Sequence, residues 1–250
     1  MKQFATLLLL LCLSLQAMAQ TLKFGPDGKF KIVQFTDLHL RWEDSRSDIA
    51  YTCIKNTIEA ERPDLVVLTG DIIYSAPADQ NLRKVLEFIA QYKTPFALVF
   101  GNHDHEQGLS NAELLQIARQ IPYCMASDVE GITGEGNYLL EIKGSQDDTP
   151  KAILYFIDSN QYSQLKEAGV NGYDYIHRDQ IDWYVQSSSQ YTAQNNNQPL
   201  PSLAFFHIPL PEYNQAARNE NTTLYGIPRE QACSPELYTG MFAAMKEQGD

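Results

Sequence analysis

The stretch Leu65-Val66-Val67-Leu68-Thr69-Gly70-Asp71 joins a wholly apolar run to a glycine and a carboxylate. A short run of this kind is typical of a strand that is buried on both faces of a sheet. Apolar residues recur at helical spacing before it, over Asp48 to Glu61, and after it, over Asp79 to Tyr92. The alternation of strands and helices predicts an α/β fold.

The same design, a strand followed at once by polar residues, recurs along the chain. Lys29 to Phe35 leads into Asp37-Leu38-His39, Phe96 to Phe100 into Gly101-Asn102-His103-Asp104, and Leu203 to Phe206 into His207. Because ligands of open α/β sheets bind at the carboxyl ends of the strands, we expect these polar side chains to meet in one site.

The remaining predicted elements complete the two halves of the chain. A capping box at Ser110 and Glu113 opens a helix to about Gln120. Further strands are predicted over Tyr138 to Ile142 and Ile153 to Ile157, and further helices over Arg178 to about Gln190 and Pro235 to Gln248.

The residue types at the strand ends favour a metal site. Carboxylate, amide oxygen and imidazole suit Fe, Mn or Zn better than Ca. A carboxylate such as Asp71 can bridge two metals, which activate a water and neutralise a phosphoryl group. Gly70 and Gly101 would let the backbone turn sharply into the site. Each motif alone also fits an ordinary turn or a structural histidine, so the prediction depends on their order and context.

That order resembles the calcineurin-like metallophosphoesterase superfamily, and more closely its purple-acid-phosphatase-like branch. Shared features include the run Phe205 to Tyr213 and Gly172-Tyr173-Asp174, and the resemblance extends from about Phe30 to the last residue. It implies βαβ units that form a two-sheet sandwich flanked by helices, with the last strands missing. It also implies a two-metal-dependent hydrolase of phosphate esters that acts by attack of a metal-bound hydroxide.

The resemblance assigns roles residue by residue. Asp37 and His39 would bind the first metal, Asp71 would bridge, and Asn102 and His207 would bind the second. His103 would protonate the leaving oxygen or stabilise the transition state, with Asp104 orienting it. The metals would be two divalent or trivalent ions of Fe, Mn or Zn.

Two departures from the family pattern matter. Tyr74 stands where true purple acid phosphatases place an Fe(III)-binding tyrosine. Those enzymes lack the histidine of the first motif, and His39 would fill the same position in the coordination sphere of the metal. We therefore interpret His39 as the ligand and Tyr74 as an ordinary aromatic residue. The final Gly-His-x-His of the family is absent, so we expect residues 20–250 to be one metallophosphoesterase domain, incomplete at its C-terminus, in a fragment of a longer enzyme.

Two other functions remain open. A catalytically silent phosphate- or metal-binding protein would use the same residues if the chain truly ends at 250. A phosphodiesterase or nuclease of the same superfamily is the other alternative. The net charge of -12 disfavours nucleic acid and anionic lipid as partners.

The first residues have the pattern of an export signal. Lys2 precedes an apolar run from Phe4 to Leu15, and Ala17-Met18-Ala19 is a small-x-small cleavage site. We predict a signal peptide over residues 1–19 and an exported protein, periplasmic or secreted. The run is too short to span a membrane.

Overall fold

The computed structural model describes residues 20–226 and 230–249. The predicted signal peptide, residues 1–19, lies outside the described residues. The strands are β1 (Leu22–Lys23), β2 (Ile32–Phe35), β3 (Leu65–Thr69), β4 (Phe96–Val99), β5 (Tyr138–Lys143), β6 (Pro150–Phe156) and β7 (Ser202–Phe205). The α-helices are α1 (Asp48–Glu61), α2 (Ala78–Ala90), α3 (Asn111–Ala118), α4 (Arg178–Gln194), α5 (Glu212–Arg218) and α6 (Met241–Gln248).

The first half of the chain forms a three-stranded parallel sheet in the order β2-β3-β4. Every residue of the central strand β3 is buried, which confirms the prediction from its apolar run. The helices α1 and α2 make the crossovers between its strands. In register, Phe35 pairs with Leu68 and Thr69 pairs with Val99. The residues that follow the three strands therefore emerge at the same edge of the sheet.

The second half forms a four-stranded mixed sheet in the order β1-β5-β6-β7. Alternate residues of β6 belong to two different cores. Leu154 and Phe156 join the large core that contains the first sheet, whereas Ile153 and Tyr155 join a core with residues of α4 and α6. Because successive side chains of a strand point to opposite faces, β6 is covered by the first sheet on one face and by helices on the other. The predicted two-sheet sandwich flanked by helices is confirmed.

The structure differs most from the sequence prediction at three elements, apart from shifts of a few residues at the ends of others such as β6 and α4. The two-residue strand β1 and the short helix α5 were not predicted. The last helix begins at Met241 and not at Pro235, because Gly240 has a φ of 92° that interrupts helical geometry. In the first turn of this helix, the N–H of Phe242 donates a hydrogen bond to the hydroxyl of Tyr238. Among the described helices, none is both long and apolar enough to cross a bilayer.

Candidate metal centre

Asp71 lies at the centre of the polar cluster at the strand ends. Its side chain is almost fully buried, at 3% exposure of the residue. Its Oδ1 accepts the backbone N–H of His103 at 2.9 Å. Its Oδ2 lies 3.1 Å from His39 Nε2 and 3.4 Å from His207 Nε2. Burial raises the pKa of Asp71, but the hydrogen bonds and charges of His207 and His103 outweigh burial and lower it to about 2.

Asp71 is shared by two groups of potential metal ligands. One group is Asp37, Asp71 and His207, and the other is His39, Asp71 and His103, with the ligand atoms of each group within 4.8 Å of one another. The structure thus brings together the carboxylates and imidazoles that the sequence analysis singled out. One carboxylate common to two groups is the arrangement that a pair of neighbouring metals requires.

The histidine after β7 is held in the tautomer that a metal ligand needs. His207 Nδ1 lies 2.8 Å from Thr69 O, so Nδ1 carries the proton and donates it to this carbonyl. Nε2 therefore faces Asp71: it donates to this carboxylate when the ring is protonated, and it offers a lone pair to a cation between the two residues when the ring is neutral. Ligating histidines usually donate their other ring N–H in this way. Burial lowers the pKa of His207, but the nearby carboxylate of Asp71 raises it more, and the net shift is upward.

Three of these side chains stand on backbone in the left-handed region. The φ values are 53° for Asp37, 46° for His39 and 51° for Asp71. This conformation costs a non-glycine residue about 1 kcal/mol or more, and such strain is concentrated at functional sites. The loops that carry it are tied together, because Asp37 N donates to Gly70 O at 3.1 Å and His39 N to Asp71 O at 2.9 Å.

The two glycines of the motifs serve different purposes. Gly70 has a φ of 88°, as the predicted sharp turn requires, and a Cβ there would lie 2.6 Å from His207 Nδ1. Gly101 has no positive φ, so the turn that follows it at residues 102 and 103 does not need the conformational freedom of glycine. Gly101 is needed for close approach, because its Cβ would lie 2.2 Å from Asp71 Oδ1.

We expect Gly101→Ala to lower metal affinity at least tenfold, because the added methyl group must displace the Asp71 carboxylate. Isothermal titration with Mn²⁺ measures the affinity, and circular dichroism verifies the fold. Gly144→Ala is the matched control, since its methyl group would meet only the ends of the exposed Asp147 and Lys151 side chains. Wild-type affinity in Gly101→Ala would contradict the assigned close approach.

Asn102 is buried at 2% exposure. Its Nδ2 donates to the hydroxyl of Tyr162 at 2.9 Å. Tyr162 stacks on Tyr173, with ring centroids 5.8 Å apart and an interplanar angle of 17°. From the sequence alone, Tyr162 is interpreted as a packing residue in preference to a substrate-facing one, and the sixty residues between it and Asn102 conceal their contact.

The carboxylate beside His103 is not the predicted one. Asp104 is fully buried, and its Oδ1 accepts the N–H groups of Ile72 and Ile73 while its Oδ2 accepts that of Gly101. Burial raises the pKa of Asp104 to about 6, although these backbone donors lower it. The residue that contacts the His103 ring is Glu106, with Oε2 2.6 Å from Nδ1. The prediction that Asp104 orients His103 is therefore wrong, because its oxygens are committed to backbone.

Tyr74 forms an aromatic wall beside the cluster. Its ring packs edge-on against His39 and His103, with both centroid distances at 5.0 Å. On its other side the guanidinium of Arg41 lies 4.6 Å from the ring centroid. The ring thus holds both imidazoles in place by packing.

A cleft of about 1070 Å³ opens over the cluster. Its floor carries Asp37, His39, Asp71 and His103, and its far wall is formed by α5 and residues 230–233. Asn214 of α5 fixes that wall, because its amide exchanges two hydrogen bonds with the backbone of Ala232 at 2.8 and 2.9 Å. The cleft is large enough for a phosphate ester with a sizeable leaving group.

Two packed sheets with a carboxylate and imidazole cluster at their strand ends define the class of metallophosphoesterases. The chain belongs to the calcineurin-like phosphoesterase family, whose family model matches residues 30–230.

Several curated proteins are similar to this chain. "Probable inactive purple acid phosphatase 14" of Arabidopsis thaliana is 28% identical over 92% of this chain and 65% of its own length. "Phosphatase DCR2" of Saccharomyces cerevisiae is 34% identical over 87% of this chain and 42% of its own length. "Probable inactive purple acid phosphatase 29" of Arabidopsis thaliana is 30% identical over 99% of this chain and 72% of its own length. The chain thus spans 65% and 42% of the first two relatives.

Proposed function

We propose that this protein is a two-metal phosphoesterase that hydrolyses phosphate esters. The observation that carries the proposal is the sharing of Asp71 by two ligand groups at the floor of one cleft. These geometric groups pair Asp37 with His207 and His39 with His103, whereas the family pattern pairs the residues differently. We propose the family pairing, in which Asp37 and His39 would hold one ion with Asp71, and Asn102 and His207 would hold the other with Asp71, so that His103 stays free for the leaving oxygen. The donors suit Fe, Mn or Zn. We further propose that phosphomonoesters are preferred over diesters, and that the protein is exported.

The residues fit such ions on three counts. His207 gives its Nδ1–H to Thr69 O, so Nε2 is the atom that a cation between His207 and Asp71 would bind, as a ligating histidine requires. The pKa of Asp71 is lowered to about 2, so its carboxylate is ionised at neutral pH. The left-handed backbone at Asp37, His39 and Asp71 is strain of the kind that bound ions would stabilise.

Two bound metal ions would supply an activated water and neutralise the negative charge of the phosphoryl group. The chain supplies the remaining parts. His103 stands at the cluster with one ring nitrogen paired to Glu106, and it would give a proton to the leaving oxygen. The cleft wall at α5 would receive the leaving group.

The whole protein, loaded with Mn²⁺, Fe²⁺ or Zn²⁺, should hydrolyse an aryl phosphate and lose this activity to a chelator. Asp71→Asn should lose both ions, because it removes the carboxylate that the two ligand groups share. Metal content is measured by mass spectrometry. Asp147→Asn makes the same chemical change at an exposed residue and should keep both ions. Two ions retained by Asp71→Asn would sink the shared-ligand assignment.

A second candidate is a catalytically silent protein that binds metal or phosphate through the same residues. The names of two plant relatives, which describe them as probably inactive, favour it. Measuring metal binding and ester hydrolysis on the same protein distinguishes the two functions. Metal binding without hydrolysis of aryl mono- or diesters supports the silent protein, and hydrolysis supports the enzyme.

A further inference from the structure

Four side chains beside the cluster form one hydrogen-bonded chain, here called the Glu106 network. Asn102 Nδ2 lies 2.9 Å from the Tyr162 hydroxyl, which lies 3.0 Å from Glu106 Oε1. Glu106 Oε2 lies 2.6 Å from His103 Nδ1. Glu106 and His103 can meet because a 3₁₀ turn, Asp104–Gln107, puts residues three apart on the same side.

The chemistry of a carboxylate fixes the direction of every bond in this network. An ionised carboxylate can only accept hydrogen bonds. The single hydrogen of Tyr162 is therefore donated to Glu106, and the Tyr162 oxygen can only accept from Asn102. His103 must likewise donate from Nδ1. The hydrogen bonds from His103 and Tyr162 lower the pKa of Glu106 against the effect of burial, so Glu106 remains ionised at neutral pH.

The first consequence concerns the amide of Asn102. An amide can rotate to exchange its oxygen and nitrogen with little change in shape. Here the nitrogen must face Tyr162, so Oδ1, the atom able to bind a metal, is turned away from Tyr162. Without a fixed acceptor at Tyr162, the amide could present its nitrogen in place of its oxygen.

The second consequence concerns His103. A neutral imidazole carries its proton on either nitrogen, and the partner of one nitrogen decides the state of the other. Because Nδ1–H is donated to Glu106, Nε2 is the nitrogen that remains available for a proton or a substrate oxygen.

We propose that Glu106 is a positioning residue whose single carboxylate sets both the amide orientation of Asn102, through Tyr162, and the tautomer of His103. What the two groups then do rests on the proposed function. Their orientations do not, because they follow from the chain alone. Glu106 thereby orients both the proposed metal ligand Asn102 and the proposed acid His103.

Glu106→Gln provides the sharpest test. Glutamine has one accepting oxygen and one donating nitrogen, so it cannot accept from both His103 and Tyr162. The hydrogen bond to either His103 or Tyr162 must therefore reverse its direction, with the glutamine nitrogen as the donor. In the metal-free protein, ¹⁵N NMR of the His103 ring reports the tautomer, with the signal assigned by its loss in His103→Gln. In the loaded protein, titration reports metal affinity.

We expect wild-type His103 to be protonated at Nδ1. Glu106→Gln should either move the ring proton to Nε2 or lower metal affinity by about 10- to 100-fold, as changes behind metal ligands do. Tyr162→Phe removes only the Asn102 branch. It should lower metal affinity in the same range and leave the His103 ring signals unchanged.

Matched controls make the same chemical changes at residues outside the Glu106 network. Glu167→Gln and Tyr225→Phe should alter neither measurement, since neither residue takes part in the network. A Glu106→Gln protein with wild-type ring signals and wild-type metal affinity would overturn the proposal. So would an altered His103 tautomer in Tyr162→Phe. Because the ring signals are recorded without metal or substrate, they decide the proposal even if the protein hydrolyses no ester.

Discussion

Asp104→Ala is expected to lower the free energy of unfolding by about 3–5 kcal/mol, the largest stability loss at this site. Its fully buried carboxylate accepts three backbone N–H groups, from Ile72, Ile73 and Gly101. Alanine would leave all three donors buried without a partner, and each unsatisfied donor costs about 1–3 kcal/mol. Urea denaturation monitored by circular dichroism measures the change.

Two further variants sharpen this test. Asp104→Asn keeps the accepting Oδ1 but turns an amide towards Gly101 N–H, so it should be destabilised less than Asp104→Ala. Asp148→Ala removes a carboxylate that is 77% exposed and should change the stability by less than about 0.5 kcal/mol. An Asp104→Ala protein within about 1 kcal/mol of the wild type would show that its backbone bonds do not hold the loops together.

His103→Ala is expected to reduce turnover by about 10²- to 10⁴-fold, the range of a positioned general acid. The loss should depend on the leaving group. A nitrophenolate leaves readily without a proton, whereas an alkoxide needs one, so alkyl phosphates should lose more than aryl phosphates. Steady-state kinetics on both ester types measures this difference, with metal content determined in parallel.

The leaving-group dependence separates proton donation from a loss of structure. A damaged site would slow both ester types equally or release metal. His177→Gln changes an imidazole that stacks on Tyr175, outside the cluster, at a ring distance of 4.3 Å, and it should retain turnover on both. Equal losses on alkyl and aryl esters in His103→Ala would remove His103 from the role of acid.

The residues that meet in the cluster could be predicted from the sequence because the signal is local. Each polar motif directly follows an apolar strand, and parallel strands place such residues at one edge. Asp37, Asp71 and His207 accordingly fall within one group in the structure. The helix α1 was predicted with its observed bounds for the same reason, because its apolar spacing is regular and Pro63 follows it.

The supporting residues could not be predicted, because their positions depend on geometry that no local pattern encodes. Asp104 and Glu106 are both acidic and both close to His103 in sequence. Only the 3₁₀ turn decides that Glu106 contacts the ring while Asp104 points into the protein. Tyr162 reaches the site through a long irregular segment. The strand β1 has two residues, too few for a periodic signal.

The cluster draws its side chains from both layers of the sandwich. His207 follows β7 of the mixed sheet and bonds to Thr69 of the parallel sheet, where Asp37 and Asp71 also lie. An ion held between these residues would therefore also stabilise the packing of one sheet on the other. A core substitution distant from the cleft that shifts the two sheets would weaken metal binding, although no ligand had been changed. In a variant screen, metal affinity would thus report the alignment of the whole sandwich.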